Sequence, residues 1–390
     1  MKKVLVRLAA LLLALLTALC AYAETESGSE KTAEERAQAM LSAMTLREKV
    51  GQMFLIRADA LDFTQPYTQV NDAWAEGRTE LTEDMKQALA DYPCGGVAFS
   101  SKNITDAKQL TKFAADLQAA SPIPLFISCD EEGGLVARLA NHPAFHLPRY
   151  ESAGAVGASG NARDAYNMGR VIGGYMVDYG FNMNFAPVAD VNTNPLNPVI
   201  GSRAFSSDPV IATEMAAGMA KGLKENGIIP VYKHFPGHGD TAQDSHYGLA
   251  VSYKTKDEMA ACEWLPYVDL ARDTCVMTAH IAVPNVTGSD LPATMQEAVI
   301  EGVLREQLGF EGVVMTDSMD MGAVTQVCPA GEAAVRAVLA GCDIILGPEK
   351  YQEAFDSVLE AAEMGDIPME RIDESVMRIL LLKIESGLME

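Results

Sequence analysis

Ile228-Ile229-Pro230-Val231-Tyr232-Lys233 runs directly into His234-Phe235-Pro236-Gly237-His238-Gly239-Asp240. The first half is a short β-rich run whose apolar residues do not alternate with polar ones. That is the pattern of a strand buried on both faces, and hence of a parallel sheet. The second half is polar, broken by glycine and rich in histidine. Outward from this point the same alternation recurs. Apolar runs lie at Gly51–Ile56, Gly95–Ser100, Pro124–Cys129, Phe181–Phe185, Cys275–His280, Gly312–Thr316 and Cys342–Leu346, which with Ile228–Lys233 makes eight. Amphipathic, helix-patterned stretches separate them: Thr105–Ala120, Ala162–Tyr179, Pro209–Asn226, Lys256–Arg272 and Thr294–Leu308. Eight strand–helix units predict an α/β protein, a single-domain (β/α)8 TIM barrel; a doubly wound open sheet is the alternative.

Helix punctuation agrees. Thr45-Leu46-Arg47-Glu48 is a capping box. Gly180, Gly227 and Gly309 each fall between a helix and the next strand, where a left-handed residue ends a helix at low cost. A last helix over about Met369–Ser386 completes one barrel domain at 36–390.

The N-terminus reads as a signal. Met1-Lys2-Lys3-Val4-Leu5-Val6-Arg7 is basic, Leu8–Leu19 is almost wholly apolar, and Ala21-Tyr22-Ala23 has the small-x-small pattern. A signal peptide over 1–23, cleaved after Ala23, is expected, with a flexible linker over 24–35. A retained anchor and a lipid on Cys20 are the alternatives. The apolar run is short for a bilayer, and Leu19 is larger than the residue a lipoprotein signal wants before its cysteine. A secreted or cell-envelope protein with no membrane span in the mature chain follows, and a monomer is expected.

The formal net charge is −23, and losing Lys2, Lys3 and Arg7 takes it to −26. Such a chain repels nucleic acid, whose binding needs clustered Lys and Arg. Of seven cysteines, Cys20 leaves with the signal. Cys129 and Cys342 sit in or beside apolar runs and read as buried thiols, with no disulfide assignable. No CxxC pair or zinc ligand set is present, and neither metal nor cofactor is expected.

In a closed barrel the active site lies at the C-terminal ends of the strands. After the third run come Asp130-Glu131-Glu132-Gly133-Gly134 and then Arg138; after the fourth, Pro187 and Asp190; after the fifth, Lys233 and His234, then Asp244-Ser245-His246. The sixth ends at His280 and the seventh at Thr316-Asp317-Ser318. Charges placed directly after buried strands are costly unless they line a polar pocket. Three of the six histidines fall between 234 and 246. Gly237 and Gly239 are read as letting the backbone turn tightly and approach a ligand. Asp244, two residues before His246, suits it to orient the imidazole as a proton carrier. Asp317 suits a nucleophile: retaining sugar hydrolysis needs a carboxylate on one side of the anomeric carbon and a proton donor on the other. A helix N-cap is its bland alternative.

Lys233-His234-Phe235-Pro236-Gly237-His238-Gly239 followed by Asp244-Ser245-His246 resembles the signature of glycoside hydrolase family 3, in its β-N-acetylglucosaminidase branch. Glu48–Met53, Asp130–Arg138, Gly201-Ser202-Arg203-Ala204-Phe205, Leu291–Thr294 and Thr316-Asp317-Ser318-Met319 are similar to other stretches of that family. The resemblance implies a barrel fold and a retaining β-N-acetylhexosaminidase. Asp317 would carry the covalent glycosyl intermediate, and His246 paired with Asp244 would be the acid/base. Asp130, Arg138, Arg203, Lys233 and His234 would hold the sugar. The implied partners are carbohydrates, N-acetylglucosamine-containing glycans or muropeptides. The family's β-glucosidases usually take their acid/base from a second domain, whereas this chain carries Asp-Ser-His.

Rival readings are a β-N-acetylglucosaminide phosphorylase, since an imidazole does not repel phosphate, and a β-glucosidase-like glycosidase. A metal-dependent hydrolase on His234, His238 and His246 is disfavoured because Pro236, Gly237 and Gly239 oppose a helix there. A non-catalytic sugar-binding protein has the complete catalytic set against it.

Overall fold

A computed structural model describes residues 31–389; the signal-peptide reading over 1–23 lies outside them. Eight short strands form the central sheet: β1 Phe54–Arg57, β2 Gly96–Ala98, β3 Phe126–Cys129, β4 Met183–Asn184, β5 Ile229–Phe235, β6 Cys275–Thr278, β7 Val313–Thr316 and β8 Ile345–Leu346. Each apolar run of the sequence contains one of them. All pairings are parallel and join neighbours in sequence, from β1 with β2 (Leu55↔Gly96) round to β6 with β7 (Val313↔Cys275). β8 returns to β1 (Phe54↔Ile345), and a parallel bridge Met315↔Ile344 closes the ring. A doubly wound sheet would reverse its strand order partway; this one does not, so the fold is a (β/α)8 barrel.

The strands are buried on both faces apart from partly exposed Arg57 and Ala98 at two C-terminal ends. Helices surround them. Asn161 caps Ala162–Asp178, and Asp208 caps Pro209–Lys224, with Pro209 in the first turn where its missing N–H costs nothing. These two helices touch backbone to backbone. A Cβ on Gly169 would collide with the Met219 carbonyl, and one on Gly222 with that of Tyr166.

Asp343 ties the ring to its outer layer. The fully buried carboxylate accepts from Arg305 Nη2 (2.6 Å), Ser375 Oγ (2.7 Å), the Val314 N–H (2.9 Å), Arg378 Nη1 (3.1 Å) and Arg371 Nη2 (3.2 Å). Burial opposes its charge, but three guanidiniums outweigh that and hold its pKa below the usual range.

Four expectations shift. Thr32 caps a helix at Ala33–Ala43 that buries Ala37 and Leu41, so the last residues of the stretch 24–35 belong to the fold. The helix Leu46–Gln52 takes Gly51 and Gln52, and β1 begins only at Phe54. The stretch Lys256–Arg272 is not one helix. It ends at Ala260, because Trp264 and Tyr267 turn fully inward, and Pro266 cannot donate to a continuing ladder. Thr294–Leu308 starts as a tight turn at Ala293–Met295 and continues as a wide π-type helix at Ile300–Gln307.

The six described cysteines are free, and Cys129 and Cys342 are both buried. Among the described residues no helix is long and apolar enough to cross a membrane.

Candidate active site

The C-terminal ends of the strands open into a cavity of about 440 Å³ lined by Asp130, Arg138, Arg203, Lys233, His234, His246 and Asp317. Seven of the eight residues read from sequence therefore meet in one space. The eighth, Asp244, stands behind His246.

The third-strand loop folds back on itself. Glu131–Gly133 pairs antiparallel with Val136–Ala137, and the Arg138 N–H donates to the Asp130 carbonyl at 3.1 Å. This sets Arg138 Nη2 3.1 Å from Asp130 Oδ2. Lys233, two residues before the end of β5, places Nζ 2.7 Å from Asp130 Oδ1 and 2.6 Å from Glu132 Oε1. Arg203 grips Glu132 twice, at 2.9 and 2.8 Å. Burial works against the Lys233 ammonium, but Asp130 and Glu132 more than offset it and raise its pKa, so it stays charged. Three cations and two carboxylates form one chain, buried at Lys233 and Glu132 and partly exposed at Asp130, Arg138 and Arg203, which fixes the donors that face the cavity. Glu131 has another task, accepting from the Leu139 and Ala140 N–H groups and the Tyr175 hydroxyl.

His234 is held from behind. Its Nδ1 lies 2.6 Å from Asp190 Oδ2, and the other Asp190 oxygen accepts from the His238 N–H at 2.6 Å. His238 spends both ring nitrogens on hydroxyls, Thr241 at 2.8 Å and Ser245 at 3.0 Å, which anchors the loop carrying His246. Gly237 and Gly239, read from the sequence as sites of close ligand approach, do not line the cavity. They admit neighbouring chain: side chains there would strike Glu263 and the Val191 carbonyl.

Asp244 Oδ1 takes both the His246 backbone N–H (2.9 Å) and its Nδ1 (2.7 Å). That fixes the tautomer, Nδ1–H toward the carboxylate, and leaves Nε2 to exchange a proton with a ligand. The imidazole is 58% exposed. Burial tends to raise the Asp244 carboxyl, but the His246 contacts outweigh it and hold the pKa down.

Asp317 follows β7, its N–H on the Thr278 carbonyl at 2.9 Å and its Oδ1 accepting from the Ser318 N–H at 2.7 Å. Burial pushes its pKa up. His234, His280, the Ser318 N–H and Lys233 together pull it below the ordinary range, so it is a carboxylate at neutral pH. His280 is buried and bonded to Thr294 Oγ1 (2.9 Å) and the Ser318 carbonyl (3.0 Å), supporting the turn under Asp317 from outside the cavity.

Sequence reasoning missed Glu132 and Asp190 as site supports, and Arg57, Ser318 and Asp320 as a wall. Arg57 Nη2 reaches Asp320 Oδ2 at 2.7 Å and Ser318 Oγ at 3.1 Å. Asp190 was visible after the fourth run, but nothing local marked it as a partner of His234.

A carboxylate held ionised and an oriented imidazole thus share a cavity whose wall is a chain of fixed charges. This is equipment for nucleophilic displacement with proton transfer at a polyhydroxylated ligand.

The model for the glycosyl hydrolase family 3 N-terminal domain matches residues 45–382. The chain is 31% identical over 332 residues to beta-hexosaminidase A of Pseudoalteromonas piscicida, covering 78% of this chain and 56% of that protein. It is 34% identical over 311 residues to beta-hexosaminidase LpqI of Mycobacterium tuberculosis, covering 77% and 78%. A family 3 beta-N-acetylglucosaminidase from a Paenibacillus superposes with a TM-score of 0.80 at 36% identity, over 88% of this chain and 63% of that one. The chain thus spans a little over half of the first relative and most of the second.

Proposed function

The chain belongs to glycosyl hydrolase family 3, and on that premise we propose that it is a retaining β-N-acetylhexosaminidase releasing terminal β-linked N-acetylglucosamine. The observation that carries this reading is that Asp317 and His246 line one cavity, with His246 oriented by Asp244. The names of its relatives support the sugar, and the loop carrying Asp244-Ser245-His246 supports the branch.

In the first step the Asp317 carboxylate attacks the anomeric carbon, the bond to the leaving oxygen breaks, and His246 Nε2–H protonates that oxygen. In the second, His246 takes a proton from water, the water oxygen bonds to the anomeric carbon, and Asp317 leaves as carboxylate. Lys233, His234, Arg138, Arg203 and Asp130 would hold the sugar hydroxyls, fixed in place before substrate arrives.

The sequence signal over 1–23 supports a place outside the cytoplasm, secreted or in the envelope. Peptidoglycan fragments, chitin oligomers and related glycans are then the natural substrates. A mature N-terminus at Glu24, read by mass spectrometry, is expected; retention of residues 1–23 would refute cleavage.

The activity is tested by turnover of a chromogenic β-N-acetylglucosaminide beside the β-glucoside, for wild type and His246→Ala. Preference for the first and about a 100-fold loss in the variant are expected. No turnover of either defeats the reading. Sugar 1-phosphate formed in phosphate buffer would make the protein a phosphorylase.

A further inference from the structure

The loop after β1 holds a side chain that the reaction leaves unused. Trp74 is 95% exposed, while the second of the chain's two tryptophans, Trp264, is 1% exposed. A large aromatic kept in water marks a contact surface, because an indole gains most when its face is covered. The loop is firmly built. Lys102 Nζ donates to the carbonyls of Gln69 (3.0 Å), Val70 (2.8 Å) and Asp72 (3.0 Å). Asp72 Oδ1 then accepts the Trp74 N–H at 2.8 Å.

This loop also forms a section of the catalytic cavity. Ala73 lines it, and so does Asn71, whose Nδ2 is spent on the Glu349 carbonyl at 2.9 Å. Trp74 follows Ala73 directly, so the uncovered indole belongs to a residue next to the cavity wall. A pyranose ring carries an apolar C–H face, which an indole covers well.

Building on the hexosaminidase reading, we infer that Trp74 forms an acceptor subsite. It binds the second sugar of a glycan whose terminal residue fills the cavity. The indole covers the apolar face of that ring.

Two measurements test this. The first compares N,N′-diacetylchitobiose with the β-fluoride of N-acetylglucosamine, whose leaving group is one atom with nothing to stack. Trp74→Ala is expected to lower the ratio of kcat/KM for disaccharide to that for fluoride about tenfold, with Trp74→Phe between. A ratio within twofold of wild type overturns the subsite. A wild type that turns over neither substrate defeats the hexosaminidase reading instead. The second uses tryptophan emission of Asp317→Asn, in which Trp74 is the one water-facing reporter. Adding the disaccharide is expected to shift emission to the blue and shield it from iodide. No shift at saturating sugar, or a shift that follows protein concentration and not sugar, overturns the subsite, the latter in favour of contact with a second copy.

Discussion

His234 Nδ1 stands 2.6 Å from Asp190 Oδ2, a carboxylate from 44 residues earlier in the chain. The same carboxylate fixes the His238 backbone, so one buried anion orients both a cavity residue and the root of the loop that carries His246. Asp190→Ala is expected to lower kcat/KM on a β-N-acetylglucosaminide about 100-fold, the cost of misplacing reacting groups by around an ångström. A value within twofold of wild type would show that His234 needs no such support.

The nucleophile assignment has a pH consequence. Asp317 has its pKa held below the ordinary value of about 3.9. It stays ionised as the pH falls through 5 and 4, so the acid-side fall in kcat/KM should not lie at 5 or above through this group. A profile from pH 3 to 8, with circular dichroism to track folding, checks it. An inflection near pH 6 that moves in Asp317→Glu would contradict the assignment.

Asp343 governs stability, not chemistry. Replacing it with asparagine leaves Arg305, Arg371 and Arg378 facing one another without a counter-charge. We expect a loss of about 3–5 kcal/mol, read as a lower urea midpoint. Its folded pKa lies below the unfolded one, so its stabilisation is complete above about pH 4–5 and fades as the pH falls through the folded value. The gap between wild type and Asp343→Asn should therefore narrow in acid. A constant gap would mean the carboxylate's charge is not what matters.

Two glycines on one helix should respond oppositely to alanine. Gly169 abuts the Met219 carbonyl, so Gly169→Ala must push the paired helices away from each other, at about 1–3 kcal/mol. Gly174 meets only Asn226 Oδ1, at 3.8 Å, so Gly174→Ala should be neutral or stabilise by up to about 1 kcal/mol through helix propensity. Thermal melts of both variants decide it; equal melting temperatures would discount the packing.

Why so much could be read in advance follows from burial. A barrel strand has no wet face, so each appears as an unbroken apolar run, and a charge just beyond it, such as Asp317 after Thr316, stands out. What was hidden depends on partners far apart in sequence. Asp190 lies within Val188-Ala189-Asp190-Val191 and looks like any strand end until His234 meets it. Glu132 acquires meaning only from Arg203 and Lys233, and Arg57 only from Ser318 and Asp320. The failed helix over Lys256–Arg272 shows the converse. Its amphipathic spacing was real, but Trp264 and Tyr267 gain more by packing inward than the helix gains by continuing, and Tyr267 meets Phe235 edge to face with ring centres 5.1 Å apart.

The Met315↔Ile344 bridge bears on how the folded protein behaves when crowded. With the seventh strand joined to the eighth by this bridge and the eighth paired with the first, the barrel offers no unpaired row of amides on which a stray peptide can add itself. Fibre seeding at high concentration would then have to wait for the ring to open, and its rate should follow the unfolding rate and not the amount of native protein.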